Sequence, residues 1–85
     1  MEKQRPIFER RLNGIRIAVW ENSGEGGKPW WNVSLTRRYR DSKDSDEWKD
    51  ANTFNGLSDL AVVQEAVTQA QVFIRERQAE LEVVS

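Results

Sequence analysis

Hydrophobic and polar positions alternate along 15–22 and again along 30–40, the period of half-buried β-strands. In the first run Ile15, Ile17 and Val19 share one side. In the second, WWNVSLTRRYR, Trp31, Val33, Leu35 and Tyr39 share a side that Arg37 interrupts. The other side of that run carries Trp30, Asn32, Ser34, Thr36, Arg38 and Arg40. A strand with only a core to support has no need of such a surface. Two further strands are expected, at 7–12 and 47–54. From 59 to 81 the period changes. Leu60, Val63, Val67, Ala70, Ile74 and Leu81 recur at three- and four-residue spacing, interrupted by Arg77. Val62, Ala66 and Phe73 widen the stripe, as in an amphipathic helix that docks on a sheet.

The punctuation fits a meander of four antiparallel strands followed by one long C-terminal helix, an α+β domain over 6–82 with tails at 1–5 and 83–85. Pro6 suits the start of an edge strand, where its missing N–H costs nothing. Asn13-Gly14 is a strong two-residue hairpin signal. It sets Leu12 opposite Ile15, Arg10 opposite Ile17 and Phe8 opposite Val19. Arg10 then snorkels from the core side. On the other side Arg11 faces Arg16, and like charges directly opposite repel. Either a bound anion offsets this, or Glu9 and solvent screen it, the reading exposed charges favour. NSGEGGKP, 22–29, is a flexible loop without the spacing of a phosphate-binding loop. Pairing Val19 with Trp31 across it also brings Trp20 opposite Trp30 and Arg16 opposite Ser34. DSKDSD, 41–46, reads as a solvated turn, since it lacks the glycine and glutamate of a calcium loop.

The strand at 47–54 has two registers. One sets Trp48 by Tyr39 and Asp50 by Arg37 on the core side. The other sets Trp48 by Arg40 and Asp50 by Arg38 on the outer side. Phe54 is buried in either case, which suggests a bulge near Asn52. Asn55-Gly56 turns the chain, Ser58 is the expected N-cap, and Leu57 with Val62 has the spacing of a hydrophobic staple. The helix is long for the width of four strands, and its stripe is wide. The surplus suggests a second helix from another copy of the chain, meeting Val63, Val67, Ala70 and Ile74.

Composition narrows the chemistry. The 85 residues suffice for one small domain, and they include neither cysteine nor histidine. That removes disulfides, thiolate metal sites and the commonest general base. No paired-carboxylate or activated-nucleophile constellation stands out, so neither catalysis, a metal nor a cofactor is expected. No apolar run reaches the length of a membrane span, and the charged N-terminus has no signal-peptide core. A soluble cytoplasmic protein is expected. The net charge is -1. Residues 1–40 carry nine Lys/Arg and four Asp/Glu, a balance of +5, and 41–85 carry four and ten, a balance of -6. Such asymmetry is consistent with one basic face on a near-neutral molecule.

Four antiparallel strands and one long helix, over about residues 8–74, resemble the positive-cofactor-four and Whirly type of single-stranded-DNA-binding domain. The phrases IRIAVWEN, WNVSLTRRYRD, EWKDANTF and SDL are also similar to those of small uncharacterised bacterial proteins of that apparent fold. The resemblance implies a homodimer formed through the helix, and nucleic acid held against outward-facing sheets. The Trp-rich strand end and the acidic loop have no counterpart in that pattern. The residues themselves point the same way, because single-strand binders combine basic grooves with aromatic stacking platforms. The expected contacts are Arg11, Arg16, Trp20, Trp30, Asn32, Ser34, Arg38 and Arg40, with Trp48 and Lys49 joining according to register. The arginines would meet phosphates, the tryptophans would stack on bases, and the ligand would be DNA or RNA. The alternative is a protein-interaction module, since exposed Trp, Tyr and Arg also make interface hot spots.

Overall fold

The computed structural model describes residues 4–40, 42 and 46–84, the last two as backbone only. The elements are β1 (Phe8–Leu12), β2 (Ile15–Ser23), β3 (Pro29–Arg40), β4 (Trp48–Ala51) and α1 (Gly56–Val84), with a 3₁₀ turn at Glu25–Gly27. The strands form one antiparallel sheet in the order β1-β2-β3-β4. The α+β class and the order of elements are those the hydrophobic pattern predicts. Of the expected N-terminal tail, 1–3 lie outside the described residues. Gln4 Nε2 donates to the Glu21 carbonyl at 2.9 Å and so lies beside β2. The turn expected at 41–46 lies outside the described residues apart from Ser42 and Asp46.

The Asn13-Gly14 hairpin has the expected register, with Arg11 opposite Arg16 and Phe8 opposite Val19. Asn13 and Gly14 both take positive φ, 48° and 80°, as this tight turn requires. The β2–β3 register departs from expectation by two residues. Val19 pairs with Val33 rather than Trp31, Ile17 with Leu35, Trp20 with Asn32 and Asn22 with Trp30. The loop chemistry explains the difference. Gly26 and Gly27 are the loop residues with positive φ, 71° and 77°, so the turn closes around them. The expected register would centre it on Glu25, whose side chain disfavours that backbone. A shift of two preserves parity, and every side chain keeps its expected face. β4 takes the outer register, with Trp48 opposite Arg40 and Asp50 opposite Arg38. It ends at Ala51, short of the expected 54, and Phe54 is half-buried.

The helix begins earlier and ends later than expected, and its 29 residues span about 43 Å at ~1.5 Å each. Ser58 therefore lies inside it rather than capping it. The Asn55 N–H donates to Asp59 Oδ2 at 2.7 Å, so Asp59 caps from within the first turn. Leu57 is 86 % exposed, and no staple forms there. α1 lies over β1 and β2 and runs along the strands instead of crossing them. Its start is near Asn13 and its end near Trp31. Ala66 and Ala70 are buried, and their small side chains let the helix sit close on Ile17 and Val19. Phe73 stacks on Phe8 with ring centroids 4.8 Å apart.

Two arginines that interrupt the apolar stripes hold the ends of this packing. Arg37 Nε donates to the Thr53 carbonyl at 2.8 Å, and its guanidinium lies 4.0 Å from Asp59. Arg77 forks onto Glu21, with Nε at 2.8 Å from Oε1 and a terminal nitrogen at 3.0 Å from Oε2. The Trp31 indole N–H donates to the same carboxylate at 3.0 Å. The Arg77 hydrogen bonds hold the Glu21 carboxyl below its ordinary pKa of 4.5, against the raising effect of burial, and Trp31 adds to the lowering. The same contact pushes the Arg77 pKa up.

The helix covers β3 only in part on its own side of the sheet, where Trp31 and Leu35 pack against the core. Val33, expected in the core, is 48 % exposed, and Trp31, Leu35 and Tyr39 are half-buried. On the helix, Leu60 is 53 % exposed and Val63, Val67 and Ile74 are half-buried, Val67 and Ile74 against the same core as Leu35. Among the expected dimer residues, Ala70 faces the sheet of its own chain at 3 % exposure and is not offered outward. Among the described residues, no helix is long and apolar enough to cross a membrane.

Candidate nucleic-acid interface

Strand parity builds the outer face of the sheet, and the paired registers place its side chains. Across β1, β2, β3 and β4 it carries Arg11, Arg16, Trp20, Asn32, Ser34, Arg38, Arg40 and Trp48, with Trp30 at the far end of β3. Trp30 is 47 % exposed and Trp48 52 %, while Trp20 is half-buried. None of the three lies on the helix side. Lys49 does not join them. It pairs with Tyr39 on the helix side, because the register that brings Trp48 outward turns its neighbour inward.

The face divides into two ends. At the first, Trp20 and Trp30 lie on adjacent strands but are not directly opposite. Trp20 faces Asn32, and Trp30 faces Asn22. They sit on a diagonal, roughly 7–8 Å apart at the backbone. Gly24 sits against Trp30, where an added Cβ would come within 3.3 Å of the indole Cδ1. The absence of a side chain there lets the ring lie on the loop.

At the other end two arginines lie over an indole and two more line the cleft beside it. Arg11, Arg16, Arg38, Trp48 and Asp50, with Gly14 and Ile15, line a cleft of about 540 Å³. The guanidinium carbons of Arg38 and Arg40 lie 5.0 and 5.2 Å from the Trp48 ring centroid, within cation–π range. The repulsion of Arg11 and Arg16 is relieved as expected, by an ion pair between Arg16 and Glu9. The Arg16 guanidinium also lies 6.0 Å from the Trp20 ring centroid. Ala18, between Arg16 and Trp20 along β2, is fully buried although it points away from the helix. Ser34 opposite it and Thr36 opposite Arg16 are half-buried, and Asn32 is exposed. These short polar side chains form a low floor between the two aromatic ends. Along β3 the distance from Trp30 to Arg40 is about 33 Å at ~3.3 Å per residue.

The arrangement can hold a flat aromatic group at either end, with anions beside the arginines at the Trp48 end. Sequence reasoning missed Gly24 as a member of this surface, and it placed Asp50 beside Arg38 in the outer register without counting it as a contact. Gly24 carried no signal beyond its place in a glycine-rich loop. The spacing of two between Trp48 and Asp50 puts both on one face, and the register of β4 decides that it is the outer one. Comparison with known protein families, with curated proteins and with solved structures finds no match for the chain.

Proposed function

We propose that the domain binds single-stranded DNA, and RNA by the same chemistry, on the sheet face turned away from α1, without catalysing a reaction. The observation that carries this reading is the gathering of half-exposed Trp30 and Trp48 with Arg11, Arg38 and Arg40 on one uncovered face. Each base stacked on an indole contributes about 1–3 kcal/mol, whichever base it is. Arg16 is committed to Glu9, so the phosphate contacts fall mainly to Arg11, Arg38 and Arg40. The strand-and-helix order, which resembles the positive-cofactor-four and Whirly type, supports the same reading.

A second copy of the chain belongs to this proposal. The described residues measure 53 × 34 × 16 Å with a radius of gyration of 15.8 Å, where a compact domain of this length has about 12 Å. Val33 and Leu60 are exposed at the edge of half-buried Leu35, Val67 and Ile74, which pack against the core. The same flank on a two-fold-related copy covers this edge, since such an interface is self-complementary.

Binding of a labelled single-stranded oligonucleotide, measured across a salt series, tests the reading. Affinity falls steeply with salt, and Arg38→Ala with Arg40→Ala lowers the log–log slope by about 0.7 for each lost phosphate contact. The alternative, a protein-interaction module using the same Trp and Arg side chains, is favoured by the near-neutral net charge of -1. No oligonucleotide binding at low salt would favour it and remove the nucleic-acid reading.

A further inference from the structure

The cleft at the β4 end contains a carboxylate that phosphate binding does not explain. Asp50 is exposed, sits directly opposite Arg38, and shares the cleft with Arg11, Arg16 and Trp48. Among the described residues it makes no ion pair within 4 Å, whereas the Arg16 beside it is paired with Glu9. A carboxylate repels phosphate, so in a site for backbone alone it weakens binding. It is useful where a ligand presents hydrogen-bond donors.

The geometry points to a guanine-selective subsite, with Asp50 as the residue that reads the base; this rests on the nucleic-acid reading above. Trp48 and Asp50 are two residues apart on one face of β4, roughly 7 Å along the strand. A base that displaces the Arg38 guanidinium from the Trp48 ring therefore turns an edge toward Asp50. An ionised carboxylate only accepts hydrogen bonds. Guanine alone offers two adjacent donors, N1–H and the N2 amino group, to its two oxygens. Cytosine and adenine each present one amino donor next to a ring acceptor. Thymine and uracil present one N–H between two carbonyl oxygens, which a carboxylate repels. The adjoining edge of guanine carries O6 and N7, the acceptor pair that arginine recognises most often, and the freed guanidinium of Arg38, the cross-strand neighbour of Asp50, is in reach of it. The volume of about 540 Å³ accommodates a purine and its phosphate. Single-stranded bases are commonly read in this way, stacked on an aromatic ring and hydrogen-bonded along their edges.

Three oligonucleotides of equal length and charge test this: oligo(dT), alternating d(TG), and alternating d(TI). Inosine lacks only the N2 amino group of guanine. The full chain binds d(TG) about 10-fold more tightly than oligo(dT), and d(TI) several-fold less tightly than d(TG). Asp50→Asn, whose folding is checked by its helical circular dichroism, erases the difference between d(TG) and d(TI) while retaining affinity for oligo(dT). Equal binding of d(TG) and d(TI) by the unmodified chain overturns the subsite and leaves general single-strand binding standing. A d(TG) preference that survives in Asp50→Asn overturns the role of Asp50. Failure to bind any of the three removes the underlying reading together with the subsite.

Discussion

Glu21 shows how one side chain ties the sheet to the helix and to the position of a tryptophan. Its carboxylate takes both arms of Arg77 and the Trp31 indole N–H. The Arg77 contact, the largest cause, lowers its pKa below 4.5. With a lowered folded-state pKa, the contribution is complete above the unfolded value and disappears as pH falls through the folded one. Glu21→Gln therefore lowers the melting temperature near neutral pH, and the two proteins converge in acid below that folded pKa. Solvent screening at a carboxylate 21 % exposed limits the loss to about 1 kcal/mol, or several degrees in a domain this small. Thermal melts across the acid range check both parts. Sequence periodicity presents Arg37 and Arg77 as flaws in apolar stripes. Their partners, Thr53 and Glu21, lie 16 and 56 residues away, and nothing in local spacing announces contacts so distant.

At the scale of elements, the sheet was legible to the extent that parity decides it. Tight turns with Asn-Gly specify register directly, and the first hairpin follows that rule. The second hairpin depends on which glycines take left-handed backbone, a choice that GEGGK leaves open. The resulting shift of two moves the paired indoles onto a diagonal without changing their face. The helix start was misjudged for a similar reason. Ser58 satisfies the cap pattern, but Gly56 has the φ of +65° that ends the turn, and Asp59 reaches back to Asn55. While the Arg37 bond to Thr53 remains, Asp59→Ala removes this cap and the carboxylate 4.0 Å from Arg37 together. It costs about 1 kcal/mol, and hydrogen exchange of the amides in the first helical turn accelerates. Ser58→Ala leaves both unchanged within about 0.5 kcal/mol.

The described residues form a thin two-layer plate, 16 Å in its shortest dimension, with exposed Trp and Arg side chains on one side and exposed Val33 and Leu60 on the other. The latter side was only half legible. The wide helical stripe signalled a surplus, but the helix uses Ala66 and Ala70 to approach the sheet and leaves Leu60 and Val33 outside. Burial of an apolar side chain contributes about 25 cal/mol per Å², so a charge placed there penalises association more than folding. The proposed pairing predicts that the unmodified chain sediments as a dimer and Leu60→Glu as a folded monomer. A monomeric unmodified chain at micromolar concentration would refute the pairing. The most direct measurement of the central claim compares the two faces. Oligonucleotide-induced quenching of tryptophan emission is measured for the unmodified chain, for Trp31→Phe, and for the double variant Trp30→Phe with Trp48→Phe. The account predicts that Trp31→Phe retains the quenching and the double variant loses most of it. Quenching that survives in the double variant and vanishes with Trp31→Phe would place the ligand on the helix side and contradict the account.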